Sequence, residues 1–224
     1  MIAAALIAVC LARSDVRDLP LIEAKAKQER TTPRRIAIML TGDGGWRRID
    51  VRVTNRFRDE GIDVVGFLTP DFFEKRKTPE ESACALERVI RHYQTKWNAD
   101  RVILVGYSRG ADVLPFMASR LPPDVRSSID VIALLGLQST IDFKYHRSWI
   151  PFYHPHEKQF PVRPGVEKLR GEKIVCVYGE KERDTLCPTL EPSLAESVRV
   201  KGSHHFAGGY ADIADTILAA TKPH

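Results

Sequence analysis

Residues 101–121 read RVILVGYSRGADVLPFMASRL, and within them Gly106-Tyr-Ser-Arg-Gly110 joins an apolar run to a helical pattern. The pentapeptide fits G-x-S-x-G. Between a buried strand and a helix that spacing marks a sharp turn with an exposed serine at its apex. The glycines let strand and helix approach without a Cβ clash, and the Ser108 hydroxyl projects at the carboxyl end of a sheet, where open α/β folds place their sites.

The flanking sequence repeats the strand–helix rhythm. Ile36-Ala-Ile-Met-Leu-Thr41, Val64-Val-Gly-Phe-Leu68, Asp130-Val-Ile-Ala-Leu-Leu135, Lys173-Ile-Val-Cys-Val-Tyr178 and Ser197-Val-Arg-Val-Lys201 read as further strands. Most are continuously apolar, as strands covered on both faces are. Helices are expected over residues 51–60, 79–97, 111–121 and 208–220. Thr78-Pro-Glu-Glu81 supplies a capping box for the second of them. The fold class is α/β, with a mostly parallel central sheet and helices on both faces.

At 224 residues, with 43% apolar and 28% charged residues, the chain has the composition of one globular domain. Collagen, low-complexity disorder and a coiled coil are excluded. The net charge of +5 is spread along the chain, so it reads as a solvated surface with a mild attraction to anions. Basic and aromatic residues do not interleave as in nucleic-acid modules, and no nucleic-acid partner is expected. The four cysteines form no CxxC pair and no zinc spacing.

Residues 1–12, MIAAALIAVCLA, have the length of a signal-peptide core and are too short to span a bilayer. Export follows as an expectation, although a basic n-region is missing. Residues 13–33 read as a linker with one edge strand, and 34–224 as a single domain. Within it, 142–165 is an insertion rich in aromatics, histidine and proline, suited to a lid, a contact surface or plain packing. In an oxidising compartment, Cys176 and Cys187 are a candidate disulfide.

A nucleophilic serine needs a base, and the base an orienting carboxylate. Gly179-Glu-Lys-Glu-Arg-Asp184 follows one strand and Gly202-Ser-His-His-Phe206 the next. Asp184 is the preferred acid because it stands several residues past its strand, with Glu180 and Glu182 as alternatives. His205 is the preferred base, supported by Phe206, and His204 is the alternate. For the oxyanion, the backbone N–H of Arg109 and of Asp43 or Gly44 in Thr41-Gly-Asp-Gly-Gly-Trp46 are the expected donors. Trp46, Tyr107 and Asp112 are assigned to substrate binding. No cofactor is called for. His154 and His156 lack a third ligand, so no metal is expected.

With Leu19-Pro-Leu-Ile22, Leu40-Thr-Gly-Asp-Gly-Gly-Trp46, Gly106-Tyr-Ser-Arg-Gly-Ala-Asp-Val-Leu-Pro115, Tyr178-Gly-Glu180, Asp184-Thr-Leu-Cys-Pro188 and Gly202-Ser-His-His-Phe206, the chain resembles the VirJ/AcvB family of bacterial virulence proteins. The resemblance implies an α/β-hydrolase fold, periplasmic location and hydrolysis of the aminoacyl ester of lysyl-phosphatidylglycerol. It also implies a link to type IV secretion components. The expected partner is thus an aminoacylated phospholipid at a membrane surface. A cationic lysyl group would want a carboxylate, which Asp43 or Asp112 would supply. The rival expectations are a carboxylesterase or thioesterase with a soluble substrate, and a non-catalytic component of a secretion complex.

Overall fold

The apolar runs form one sheet of seven strands: β1 (Leu21–Ala24), β2 (Arg35–Leu40), β3 (Asp63–Phe67), β4 (Arg101–Tyr107), β5 (Ile129–Leu135), β8 (Ile174–Gly179) and β9 (Glu196–Val200). A separate two-stranded ribbon pairs β6 (Thr140–Ile141) with β7 (Phe160–Pro161). The architecture comes from a computed structural model that describes residues 15–28, 33–146 and 159–221. Strand order is β1-β3-β2-β4-β5-β8-β9. All neighbours run parallel except the edge pair β1–β3, where Leu21 stands opposite Phe67.

Because side chains alternate across each strand, each central strand feeds two cores. On one face Ile36, Ile38, Leu40, Leu104 and Leu134 pack under α3 (Pro79–Lys96) and α4 (Arg109–Ala118). On the other, Ala37, Met39, Val105 and Val177 pack under α1 (Arg48–Asp59) and α7 (Tyr210–Ala219). Three short helices, α2 (Thr69–Phe72), α5 (Pro123–Ser127) and α6 (Arg163–Glu167), complete the connections. The helix α3 starts where its cap predicts: Glu81 N–H donates to Thr78 Oγ1 at 3.1 Å, and Thr78 N–H donates to Glu81 Oε2 at 2.7 Å.

The amino ends of the central strands are clasped by one buried carboxylate. Asp130 accepts from Arg35 Nε and Arg101 Nε, both at 2.7 Å, across β2, β4 and β5. Charge buried there is paired on both oxygens, as burial of a carboxylate requires. The carboxyl ends are left to the loops that carry the site.

Of the aromatic insertion, Phe143, Tyr145 and Phe160 are described, and all three pack with the core. Phe143 is fully buried, edge-on to Phe73, Phe116 and Phe160 at 5.8, 5.3 and 5.3 Å. Trp149, Phe152, Tyr153, His154 and His156 lie outside the described residues, as do residues 1–12. No helix among the described residues is long and apolar enough to cross a membrane.

Candidate active site

Ser108 sits between the end of β4 and the first residue of α4, with φ 52° and ψ −121°. A non-glycine residue held there stores roughly 1–3 kcal/mol, sustained by its surroundings. Ser108 N–H donates to Leu135 O at 2.9 Å, and its carbonyl accepts from Asp112 N–H at 3.0 Å. The flanking glycines are demanded by contact. A Cβ on Gly106 would stand 2.4 Å from Gly110 O, and one on Gly110 would stand 2.1 Å from Leu40 O. The helix thus abuts β2 and β4 backbone to backbone, and the serine is the side chain that faces out.

His204 Nε2 lies 2.8 Å from Ser108 Oγ, and His204 Nδ1 lies 2.5 Å from Glu182 Oε1. With Nδ1–H donated to the carboxylate, Nε2 is left to accept the serine proton, which is how an imidazole makes a hydroxyl nucleophilic. The Glu182 side chain is 5% exposed, and its other oxygen accepts Gly179 N–H at 3.1 Å. The three side chains come from the ends of β4, β8 and β9.

The sequence reading assigns the base to His205 and the acid to Asp184; the structure instead brings their alternates, His204 and Glu182, into line with Ser108. Glu182 N–H donates to Gly179 O at 2.9 Å, so a tight turn folds Glu182 back over the strand end. Two residues further on, Asp184 is exposed and accepts from Ser139 Oγ at 3.1 Å. His205 turns the other way. Its Nδ1 lies 2.8 Å from the Tyr107 hydroxyl, which also donates to His204 O at 3.2 Å.

The loop after β2 comes against Ser108 at Gly42, one residue before the expected donors. A Cβ on Gly42 would stand 3.1 Å from Ser108 Cβ, whereas one on Gly44 would meet the Arg47 side chain at 3.0 Å. The loop is pinned: Thr69 Oγ1 donates to Thr41 O at 2.7 Å, and Thr69 N–H donates to Thr41 Oγ1 at 3.1 Å. Arg109, the first residue of α4, has an N–H with no intrahelical acceptor, right beside Ser108. Its guanidinium forms an ion pair with Asp43 and donates to Asp142 O at 2.8 Å. No cluster of metal-ligating side chains occurs among the described residues.

Residues 34–224 match the family model described as bacterial virulence protein VirJ. The chain belongs to the VirJ family. No curated protein sequence matches it. Its fold is that of α/β serine hydrolases. An α/β serine hydrolase without lid from Xanthomonas campestris, XC6422, is 14% identical with a TM-score of 0.59, over 90% of this chain and 87% of that one. Est1E from Butyrivibrio proteoclasticus, solved with ferulic acid bound, is 12% identical with a TM-score of 0.63, over 91% and 94%. A protein of unknown function from Agrobacterium tumefaciens is 17% identical with a TM-score of 0.60, over 92% and 98%.

In this VirJ-family chain two of the three expected substrate contacts, Tyr107 and Asp112, are buried, and Trp46 is half-buried. Trp46 lies on β3, where a Cβ on Gly66 would stand 2.3 Å from its ring. Tyr107 is 6% exposed and stacks on His204 with centroids 5.5 Å apart. Burial pushes its phenol pKa well up, so it stays a neutral hydrogen-bonding group. Asp112 is 1% exposed and accepts Gln138 N–H at 2.7 Å, tying α4 to the loop after β5. Burial raises its pKa well above the usual carboxylate range.

Cys176 and Cys187 are bonded, with Cα atoms 5.4 Å apart, closing the loop that carries Glu182 onto β8. Gly136 is the site residue that the sequence reading misses. It lies directly under the imidazole, with φ +66°. Its signal is present: a glycine ending the apolar run of β5, as Gly179 ends β8.

Proposed function

We propose that the protein is a serine hydrolase that cleaves a carboxylic ester, with Ser108 as nucleophile, His204 as general base and acid, and Glu182 as the residue that orients the imidazole. The observation that carries this reading is the unbroken relay from Ser108 Oγ through His204 to Glu182, at 2.8 and 2.5 Å. Ser108 Oγ attacks the ester carbonyl as its proton passes to His204 Nε2. The tetrahedral oxyanion is held by the N–H of Arg109 and a main-chain N–H of the Gly42–Asp43 segment, each worth on the order of 3 kcal/mol. His204 returns the proton to the leaving alcohol. Water, activated by the same imidazole, then hydrolyses the acyl-enzyme.

The substrate we infer is the aminoacyl ester of lysyl-phosphatidylglycerol, cleaved in the periplasm. Membership of a bacterial virulence family and the resemblance behind it support this choice. The Cys176–Cys187 bond supports an oxidising compartment. Glu180 and Asp184 are both exposed on the loop that carries Glu182, and Asp184 is the one hydrogen-bonded to Ser139 on the loop after β5, with no ion pair among the described residues. It therefore replaces Asp43 and Asp112 as the partner for a cationic lysyl group. Contact with type IV secretion components is part of the same proposal.

A fluorophosphonate probe should label the protein, and Ser108→Ala should abolish labelling. Unlabelled, folded wild type would sink the hydrolase reading and favour a binding role in a secretion complex. Incubation with lysyl-phosphatidylglycerol vesicles should release lysine. Turnover of short soluble esters alone would keep the hydrolase and discard the lipid substrate.

A further inference from the structure

A basic groove opens on the side of the site to which His205 turns. Arg48, Lys181, Ser203, His205 and Tyr210 line an open cavity of about 510 Å³. It continues into a second cavity of about 310 Å³ that shares Arg48, Gly208 and Tyr210 and adds Arg52. Three of the carboxylates along this face are engaged elsewhere. Glu60 and Asp215 pair with Arg56, and Asp59 pairs with Lys27. Asp212 stands at the rim, beside Gly209. Arg48, Arg52 and Lys181 enter no ion pair among the described residues. Three cations are thus left facing water along one channel.

The helix α1 adds a second observation. Arg48, Val51, Arg52 and Asn55 fall at i, i+3, i+4 and i+7 and so share one face, while Ile49, Val53 and Phe57 are buried on the other. Val51, 38% exposed, is the large apolar side chain left most open among the described residues. An apolar side chain set between two arginines is the pattern of a helix that lies against a headgroup layer, with the cations on phosphates and the apolar group beneath them. A soluble anion would satisfy the arginines and leave the valine in water. A single-stranded nucleic acid would call for stacking aromatics. Tyr210, the groove's one aromatic ring apart from His205, donates its hydroxyl to His205 O at 3.1 Å.

We propose that this groove docks the protein on an anionic lipid surface, with phosphodiester headgroups against Arg48, Arg52 and Lys181 and Val51 entering the headgroup layer. The groove adjoins the site through His205, whose ring centroid is 5.8 Å from that of His204. Docking therefore brings the surface beside the Ser108–His204 site. That this delivers a lipid-held ester to Ser108 rests on the hydrolase reading above; the docking itself does not.

The test is flotation of the full chain with phosphatidylcholine vesicles, with and without phosphatidylglycerol, at low and high salt. Wild type should bind the anionic vesicles and release as salt screens the contact. Each basic residue near such a surface contributes about a fivefold gain in binding, so R48E/R52E should lose at least about tenfold. The control K75E/K168E makes the same change in net charge at exposed positions outside the groove, and should retain most of the binding. R48E/R52E should turn over a soluble ester as wild type does, which checks folding. Equal binding to both vesicles, or equal loss in both double variants, would overturn the proposal. So would protection of Arg48 and Arg52 from guanidinium-modifying reagents by inorganic phosphate, or capture of an oligonucleotide, without vesicle binding. Vesicle binding by a protein inert towards every ester would retain the docking surface and reject the hydrolase.

Discussion

A Cβ on Gly136 would stand 2.8 Å from His204 Cε1 and 3.4 Å from Glu182 Oε1. The backbone that ends β5 is therefore the floor on which the imidazole and its carboxylate rest, fixed from below by Gly136 N–H donating to Val177 O at 2.8 Å. Gly136→Ala meets two obstacles: a positive φ, costing about 1–2 kcal/mol for a residue with a Cβ, and a contact that pushes His204 away from Ser108. The variant should fold, with a modestly lowered melting temperature. Its kcat should fall by about a hundredfold or more, since an ångström of misplacement at a reacting group costs that much. Wild-type kcat in a folded G136A protein would show that the floor is not needed.

The choice between Glu182 and Asp184 is separable by isosteric substitution. Glu182→Gln keeps the shape but presents an amide where Nδ1–H needs an acceptor of full charge. An equivalent change in a serine protease lowers kcat about 10⁴-fold, and a drop of roughly 10³–10⁴ is expected here. Asp184→Asn leaves the relay untouched, so its kcat on a soluble ester should stay near wild type. If it contacts the lysyl group, its KM for lysyl-phosphatidylglycerol should rise. A large kcat loss in D184N with none in E182Q would reverse the assignment.

Tyr107 and His205 form a latch behind the base. The Tyr107 hydroxyl lies 2.8 Å from His205 Nδ1 and donates to His204 O at 3.2 Å, so the turn carrying His204 is tied to the residue before the nucleophile. Tyr107→Phe and His205→Ala should each lower kcat about tenfold with little change in KM. Because both cut one connection, the double variant should resemble the singles rather than multiply them. His204→Ala should cost on the order of 10⁴-fold or more. Full additivity in the Tyr107–His205 cycle would rule out the latch.

The strands and main helices were legible because burial on both faces leaves a continuous apolar run and capping chemistry marks the start of α3. The Ser108 turn was legible because its glycines answer backbone contacts that almost no other residue permits. What escaped the reading is decided by loop geometry across strands. The sequence offers Glu180, Glu182 and Asp184 on one loop and two adjacent histidines on the next. A hydrogen bond from Glu182 N–H to Gly179 O chooses among the first set, and the Tyr107 hydroxyl chooses between the second. Neither bond has a local signature. Tyr107 and Asp112 turn into the core although they flank Ser108, since closeness in sequence to a site motif does not say which way a side chain turns.

Asp50 gives a pH-dependent prediction. It is fully buried; Oδ2 accepts Arg47 N–H at 2.8 Å at the start of α1, and Oδ1 has no hydrogen-bond partner. Burial raises its pKa from 3.8 to about 6. The folded state therefore holds this proton over a range where the unfolded chain has released it. Below about pH 4 both states are protonated and Asp50 carries no penalty. Between about pH 4 and 6 the unfolded state sheds its proton first, so stability falls as pH rises; above about 6 the penalty is complete, on the order of 2–3 kcal/mol. Asp50→Asn keeps an acceptor for the cap and removes the ionisation. Its stability relative to wild type should improve by roughly that amount between pH 4 and pH 7, read from denaturant midpoints at each pH. A difference that stays constant across the range would mean that Asp50 ionises at its ordinary pKa.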